Sequence, residues 1–219
     1  MRREKKLHKC SLDIMMCSHY RESSKERGSI AAQMKGILYY NRTIKKEPEI
    51  TKQVSKAARE AGMSMAGTEC RIKSRKSYLK KIRRKNGPKA SRYEVKDILR
   101  YTYTASGEEL VEKISKVIEL YTDSGYNTLE IKNYWLDRQN PYNGINTIMR
   151  SPDGLTFELQ YHTPESFEIK NGKMHELYEK QRPMRDVSSK EYIELGDKMF
   201  ELSDSMEIPK GIEKVKTHE

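Results

Sequence analysis

A chain of 219 residues, 35% hydrophobic and 34% charged, can form one large domain or a compact domain with an accessory segment. No apolar run reaches the ~18 residues a membrane helix needs, so a membrane partner is excluded at this level. The net charge of +11 is lopsided: residues 1–96 carry 27 Lys+Arg against 9 Asp+Glu, and the rest carry 16 against 23, so the front half is the part suited to phosphate groups.

Cys10, Cys17 and Cys70 are odd in number and form no CxxC pair, which argues against a disulfide framework or a structural zinc site. Met1 to Lys9 is basic with no apolar stretch after it, so no secretory signal is expected and the cytoplasm is the expected location. Residues 1–28 are polar, with a short helix at Asp13 to Tyr20. Apolar residues at Ile30, Met34, Ile37, Leu38 and Tyr40 predict an amphipathic helix over 29–46. Glu47-Pro48-Glu49 is expected to interrupt it, and Thr51 to Ala61 to form a second helix ending at Gly62. Ser74 to Arg84 reads as a third, stopped by Asn86-Gly87-Pro88.

Tyr93 to Thr104 is rich in β-branched and aromatic residues and reads as a strand. Gly107 to Ser124 follows with Leu110, Val111, Ile114, Val117, Ile118 and Tyr121 at helical spacing, closed by Gly125. Tyr126 to Trp135 is a second strand. Ser151-Pro152-Asp153-Gly154 is a turn signal that folds 142–150 and 155–163 into a hairpin. Helices are expected over Glu165 to Gln181 and Lys190 to Ser205. The order predicts an α+β fold, a mixed β-sheet flanked by helices.

Three places hold candidate chemistry. In Phe157 to His162, strand alternation sends Phe157, Leu159 and Tyr161 to one face and Glu158, Gln160 and His162 to the other. A carboxylate, an amide and an imidazole in a row suit a polar site better than a merely solvated face. In the basic run from Arg71 to Lys85, helical spacing would align Lys73, Ser77 and Lys81 as two cations around a hydroxyl, suited to a polyphosphate; a nucleic-acid-binding or solvated face is the plainer alternative. Asp97, beside Val95, Ile98 and Leu99, opens the predicted strand. A carboxylate there, like Glu158, calls for a metal or a basic partner, and these residues alone leave both open.

Together Arg71-x-Lys73-x-x-x-Ser77-x-x-x-Lys81, Asp97, Lys132, Tyr142-x-Gly144-x-Asn146, Glu158-x-Gln160-x-His162-Thr163 and His175-x-x-Tyr178 resemble the synthetase domain of RelA/SpoT-type alarmone enzymes over residues 68–182. The resemblance implies a nucleotidyltransferase-like fold, with a helical segment packed on it over 1–67 and a C-terminal helix and tail over 183–219. It implies transfer of the β,γ-diphosphate of ATP to the 3′-hydroxyl of a purine nucleotide, with Mg²⁺ as cofactor. Arg71 would stack on the adenine of ATP; Lys73, Ser77 and Lys81 would bind its phosphates. Asp97 and Glu158 would hold Mg²⁺, with Gln160 beside them and Glu158 also the base. Tyr142 would stack on the acceptor base and Lys132 meet the acceptor phosphates.

Four positions depart from the family pattern. Arg100 replaces a small residue and would supply an adenine-side cation, whereas Thr102 stands where an arginine is usual. Asn146 replaces a histidine and His162 an arginine on the acceptor side, which points to relaxed choice between guanine and adenine. A small stand-alone synthetase is expected, since no His-Asp hydrolase signature follows His8 or His19. Divergent members of this superfamily include toxins, so transfer to a tRNA 3′ end, an antitoxin or immunity partner and delivery into another cell are the alternative. A non-catalytic nucleic-acid-binding protein is a third possibility.

Overall fold

The computed structural model describes residues 34–85 and 95–218. The helix expected at Asp13 to Tyr20 and the Asn86-Gly87-Pro88 stop lie outside them. The chain divides into two compact units, one of residues up to 45 with 74–95, the other of 46–73 with 96–219.

In the first unit the helix α2 (Arg75–Lys85) is capped by Ser74, whose Oγ accepts the Ser77 N–H at 3.2 Å. Tyr78 and Ile82 form its buried side. The Tyr78 hydroxyl donates to the Gly36 carbonyl at 2.8 Å. A Cβ at Gly36 would fall 2.5 Å from Ile82 Cδ1, so glycine permits this close packing.

The second unit is built on one five-stranded sheet. Its strands are β1 (Ser64–Ala66), β2 (Arg100–Thr104), β3 (Asn127–Asn133), β4 (Ile145–Arg150) and β5 (Thr156–His162), in the order β1-β2-β5-β4-β3. Only β2 and β5 pair in parallel. The expected hairpin is β4–β5. Its turn is closed by Ser151, which donates its N–H to the Leu155 carbonyl at 2.8 Å and accepts the Leu155 N–H at 3.0 Å. One sheet face is apolar: Tyr101, Tyr103, Phe157, Leu159 and Tyr161 are buried. The Tyr103 hydroxyl reaches the Val54 carbonyl, and the rings of Tyr121 and Phe157 lie 6.0 Å apart. Tyr121 belongs to α3 (Leu110–Asp123), whose Leu110, Ile114 and Val117 are also buried.

Four local expectations change. A single helix, α1, runs over 34–60 through Pro48. The proline removes one ladder donor, but Thr43, Glu47, Ile50, Val54 and Ala57 form one buried stripe at helical spacing across it. Lys73 precedes α2 and pairs in extended form: Ile72 bridges Leu99, and the Lys73 N–H donates to the Ile98 carbonyl at 2.9 Å. That pairing also leaves Asp97 in a turn before β2, not on the strand. The helix expected over 165–181 is two, α4 (Pro164–Asn171) and α5 (Lys173–Gln181), broken at Gly172 with φ −96° and ψ −114°. The last helix is α6 (Lys190–Asp204). Beyond it, an unanticipated strap fastens to β3, with the Asn133 amide donating to the Ile212 and Val215 carbonyls at 2.8 and 2.9 Å. Among the described residues no helix is long and apolar enough to cross a membrane.

Candidate functional site

The face of the sheet opposite the apolar layer is assembled by register. Arg100 of β2 pairs with Glu158 of β5, and Thr102 with Gln160. Asn146 of β4 pairs with Gln160 on one side and with Lys132 of β3 on the other. Partners directly opposite share a face, so Lys132, Asn146, Gln160 and Thr102 make one cross-sheet row, with Glu158 and Arg100 in the next.

Glu158 is the meeting point. Its Oε1 accepts the Asn146 Nδ2 at 3.0 Å and the Gln160 Nε2 at 2.9 Å. Each amide is in turn fixed at its oxygen: Tyr142 donates its hydroxyl to Asn146 Oδ1 at 2.7 Å, and Lys170 Nζ donates to Gln160 Oε1 at 3.0 Å. No hydrogen bond among the described residues engages Glu158 Oε2. One carboxylate oxygen is held by two oriented amides, and the other is left for a further partner.

His162 is fully buried behind this cluster. Burial, reinforced by the Lys170 charge, holds its pKa well below the usual histidine value, so the imidazole is neutral. Its Nε2 lies 2.9 Å from the Tyr142 hydroxyl and its Nδ1 3.0 Å from Ser166 Oγ. With the ring proton assigned to Nε2, one direction satisfies the whole chain: Ser166 to His162 to Tyr142 to Asn146 to Glu158. Burial and the nearby Glu158 charge raise the Tyr142 pKa, so its hydroxyl keeps the proton it donates. Ser166 is itself fixed in the capping box that Thr163 forms at the start of α4.

Tyr142 sits in the loop before β4, its ring edge-on to Tyr134 at 5.1 Å and to His162 at 5.4 Å. The loop is tied to the end of α6: Asn143 Nδ2 donates to the Ser203 carbonyl at 3.1 Å, and Ser203 Oγ donates back to Asn143 Oδ1 at 2.7 Å. At Gly144 a Cβ would lie 2.6 Å from His162 Cε1 and 2.7 Å from the Tyr142 hydroxyl. The contact between those side chains exists because that position has none.

Of the remaining candidates, Arg71, Lys73 and Asp97 lie at the start of β2, where the Arg100 N–H donates to the Arg71 carbonyl at 2.8 Å; Ser77 and Lys81 belong to α2 of the first unit. Lys73 Nζ is 3.2 Å from Asp97 Oδ2. The Glu158 N–H donates to the carbonyl of Leu99, two residues after Asp97, at 2.9 Å, which places both acids toward the same end of the sheet. Arg71 donates its Nε to Glu47 Oε1 at 2.6 Å and its Nη1 to the Thr68 carbonyl at 2.9 Å. Burial pushes the Glu47 carboxyl up, but hydrogen bonds from Thr51 and Arg71 outweigh it and leave its pKa below the ordinary value. Ser77 is exposed on α2, its Oγ accepting from Ser74 Oγ at 3.0 Å, and Lys81 is half-buried one turn on. Among the described residues no group of three or more His, Cys, Asp and Glu side chains is placed to hold a metal.

The structure thus brings Tyr142, Asn146, Glu158, Gln160 and His162 into one network and pairs Lys73 with Asp97. It also adds residues that sequence reasoning passed over. Glu47 anchors Arg71 from 24 residues away. Ser166 had a signal in the Thr163-x-x-Ser166 spacing. Lys170 had none, sitting in an ordinary charged helix, yet burial and the neighbouring Arg100 charge lower its pKa to about 8, partly offset by Glu158.

No protein-family model and no curated protein matches the chain. Solved structures do resemble it. The Type VI effector Tas1, crystallised with its immunity protein, is 22% identical over 76% of this chain and 93% of that one, with a TM-score of 0.52. Small alarmone synthetase 1 of Bacillus subtilis is 16% identical over 78% of this chain and 88% of its own, with a TM-score of 0.54. Small alarmone synthetase 2 of the same organism is 18% identical over 76% and 88%, with a TM-score of 0.51. The five-stranded mixed sheet with its flanking helices is the alarmone-synthetase fold, as the sequence motifs imply.

Proposed function

We propose that this protein is an ATP-dependent pyrophosphokinase that moves the β,γ-diphosphate of ATP to the 3′-hydroxyl of a purine nucleotide, giving (p)ppGpp- or (p)ppApp-like products. The observation that carries this reading is Glu158, oriented by two amides on the polar face of an alarmone-synthetase fold, with one oxygen left for a further partner. In the reaction Glu158 takes the proton of the 3′-hydroxyl. The hydroxyl oxygen bonds to the β-phosphorus of ATP, and the bond from that phosphorus to the α,β-bridging oxygen breaks, releasing AMP.

Asp97 and Glu158 are the residues that would hold Mg²⁺. Two carboxylates toward one end of the sheet are a fitting hard-oxygen donor set for an ion that completes its shell with phosphates and water. Bound there, the ion would neutralise charge on the transferred phosphates. Lys73 already sets a cation beside Asp97. Lys73, and on α2 Ser77 and Lys81, are assigned to the ATP phosphates, and Arg71, braced by Glu47, to the adenine with Arg100. Tyr142 offers its ring to the acceptor base and Lys132 its charge to the acceptor phosphates. Asn146 and His162 replace the residues usual in guanine-using enzymes, so adenine nucleotides are expected to serve at least as well as guanine ones.

A second acceptor is favoured by two observations: the resemblance to an effector crystallised with an immunity protein, and the excess of 18 positive charges in residues 1–96. A tRNA 3′ end would engage that basic half through its backbone, and an antitoxin or immunity protein would be the partner. In either case the protein acts in cytoplasm, its own cell's or that of a cell into which it is delivered.

Labelled ATP and Mg²⁺ with GTP, GDP, ATP, ADP, AMP or bulk tRNA separates these readings. Label on a free purine nucleotide supports the first. Label on tRNA alone supports the second. No transfer to any acceptor leaves a non-catalytic nucleic-acid-binding protein.

A further inference from the structure

Lys170 stands apart from the other cations of this face. Its Nζ has one hydrogen-bond partner among the described residues, Gln160 Oε1, and no carboxylate within ion-pair distance. Around it also lie the ring of Phe167, 5.1 Å from Nζ to the centroid, the positive charge of Arg100 and, beyond ion-pair distance, the negative charge of Glu158. Arg100 likewise has no carboxylate partner among the described residues. Burying an ammonium without an acid, and beside a like charge, costs free energy. Here that cost falls on Lys170, which is half-buried; Arg100 is exposed, and its backbone stands opposite Glu158 in the register, the carboxylate whose Oε1 is already taken by amides. The cluster has excess positive charge and unused N–H donors, and an anion with several oxygens would satisfy both.

We propose that Lys170 is a phosphate-binding residue, which together with Arg100 takes phosphoryl oxygens of a bound nucleotide beside Glu158. The proposal rests on the reading that this face binds nucleotides and adds a ligand from α4 that no sequence motif marks. The oxygens belong either to the diphosphate of ATP or to the acceptor's 5′-phosphates. Both offer the same chemistry, a doubly or more highly charged oxyanion to which an ammonium donates charge-assisted hydrogen bonds. Gln160 has a defined part in this arrangement. Its oxygen aims Nζ and its amide holds Glu158, so one side chain spaces the ammonium from the carboxylate and stops them from collapsing into an ion pair.

The test uses the full chain as wild type, Lys170→Met, Lys170→Gln and Lys170→Arg. Thermal unfolding is measured without ligand, and calorimetry measures binding of inorganic pyrophosphate, ATP, ADP and adenosine in Mg²⁺. An ammonium with no acid partner does not hold the apo fold together, so Lys170→Met keeps or raises the apo melting temperature. Its pyrophosphate affinity should fall about tenfold or more, equivalent to about 1.4 kcal/mol. Lys170→Arg should restore most of that loss, and adenosine binding should stay as in wild type. Loss confined to pyrophosphate and ATP assigns the oxygens to the donor; loss extending to ADP in the acceptor role, read with ATP saturating, assigns them to the acceptor. Wild-type affinity for pyrophosphate and ATP in both neutral variants would overturn the proposal, as would a matching drop in apo stability without arginine rescue. If wild type itself binds none of the nucleotides, the proposed function fails, and Lys170 with it.

Discussion

Gly144→Ala puts the Tyr142–His162 contact under direct strain. The new Cβ would stand 2.6 Å from His162 Cε1, 2.7 Å from the Tyr142 hydroxyl and 2.9 Å from Tyr142 Cζ, where carbon atoms settle at about 3.5–4.0 Å. Something must move by about 1 Å. His162 is buried and held at both nitrogens, so Tyr142 is the side chain that yields. If it stays, overpacking costs about 1–3 kcal/mol. If it swings out, it forfeits its hydrogen bonds to Asn146 and His162, about 0.5–1.5 kcal/mol each. Both routes give a loss of about 1–3 kcal/mol in urea unfolding. The second also loosens Asn146 on Glu158, so transfer should slow and the acceptor KM rise more than the ATP KM. A variant within about 0.5 kcal/mol of wild type with an unchanged acceptor KM would refute the idea that this glycine sets the network.

Other outcomes can be checked alongside. Asp97→Asn and Glu158→Gln keep side-chain shape and should each abolish transfer while leaving circular dichroism unchanged; near-normal turnover with Mg²⁺ in either would remove that acid from the metal assignment. His162→Gln tests the neutral imidazole. The folded-state pKa lies well below that of the unfolded chain, so below about pH 6.5 the unfolded state binds the extra proton. Wild type should then lose up to about 1.4 kcal/mol per pH unit that the variant does not lose, and equal urea midpoint shifts in both between pH 7 and pH 5.5 would contradict this. Tyr142→Ala should damage acceptor use far more than ATP binding, since stacking on an aromatic ring is worth about 1–3 kcal/mol per base; acceptor titrations at fixed ATP decide it, and equal effects on both substrates count against base stacking.

Much of the local structure is written in short-range pattern. Alternation in Phe157 to His162 separates an apolar from a polar face, and the contacts of β5 follow it: Phe157 and Tyr161 meet aromatic rings, while Glu158, Gln160 and His162 enter the hydrogen-bonded network. Helical spacing from Leu110 to Tyr121 makes α3, and Ser151 to Gly154 closes the hairpin, because a side-chain period or a turn preference acts within a few residues. The tertiary structure decided the pairings. Arg100 stands opposite Glu158 because β2 enters in parallel beside β5, a choice between strands far apart in the chain. Asp97 lies off the strand and Lys73 off the helix because segments 71–73 and 98–100 find each other. Pro48 leaves α1 whole because buried residues on both sides of it share one stripe, which outweighs a single missing donor. Lys170 reaches Gln160 only because the Thr163–Ser166 cap and the break at Gly172 set the course of α4 over the sheet. Periodicity tells a side chain which face to take; which other face it meets depends on how distant segments pack, and that is where the ligands of Glu158 were chosen.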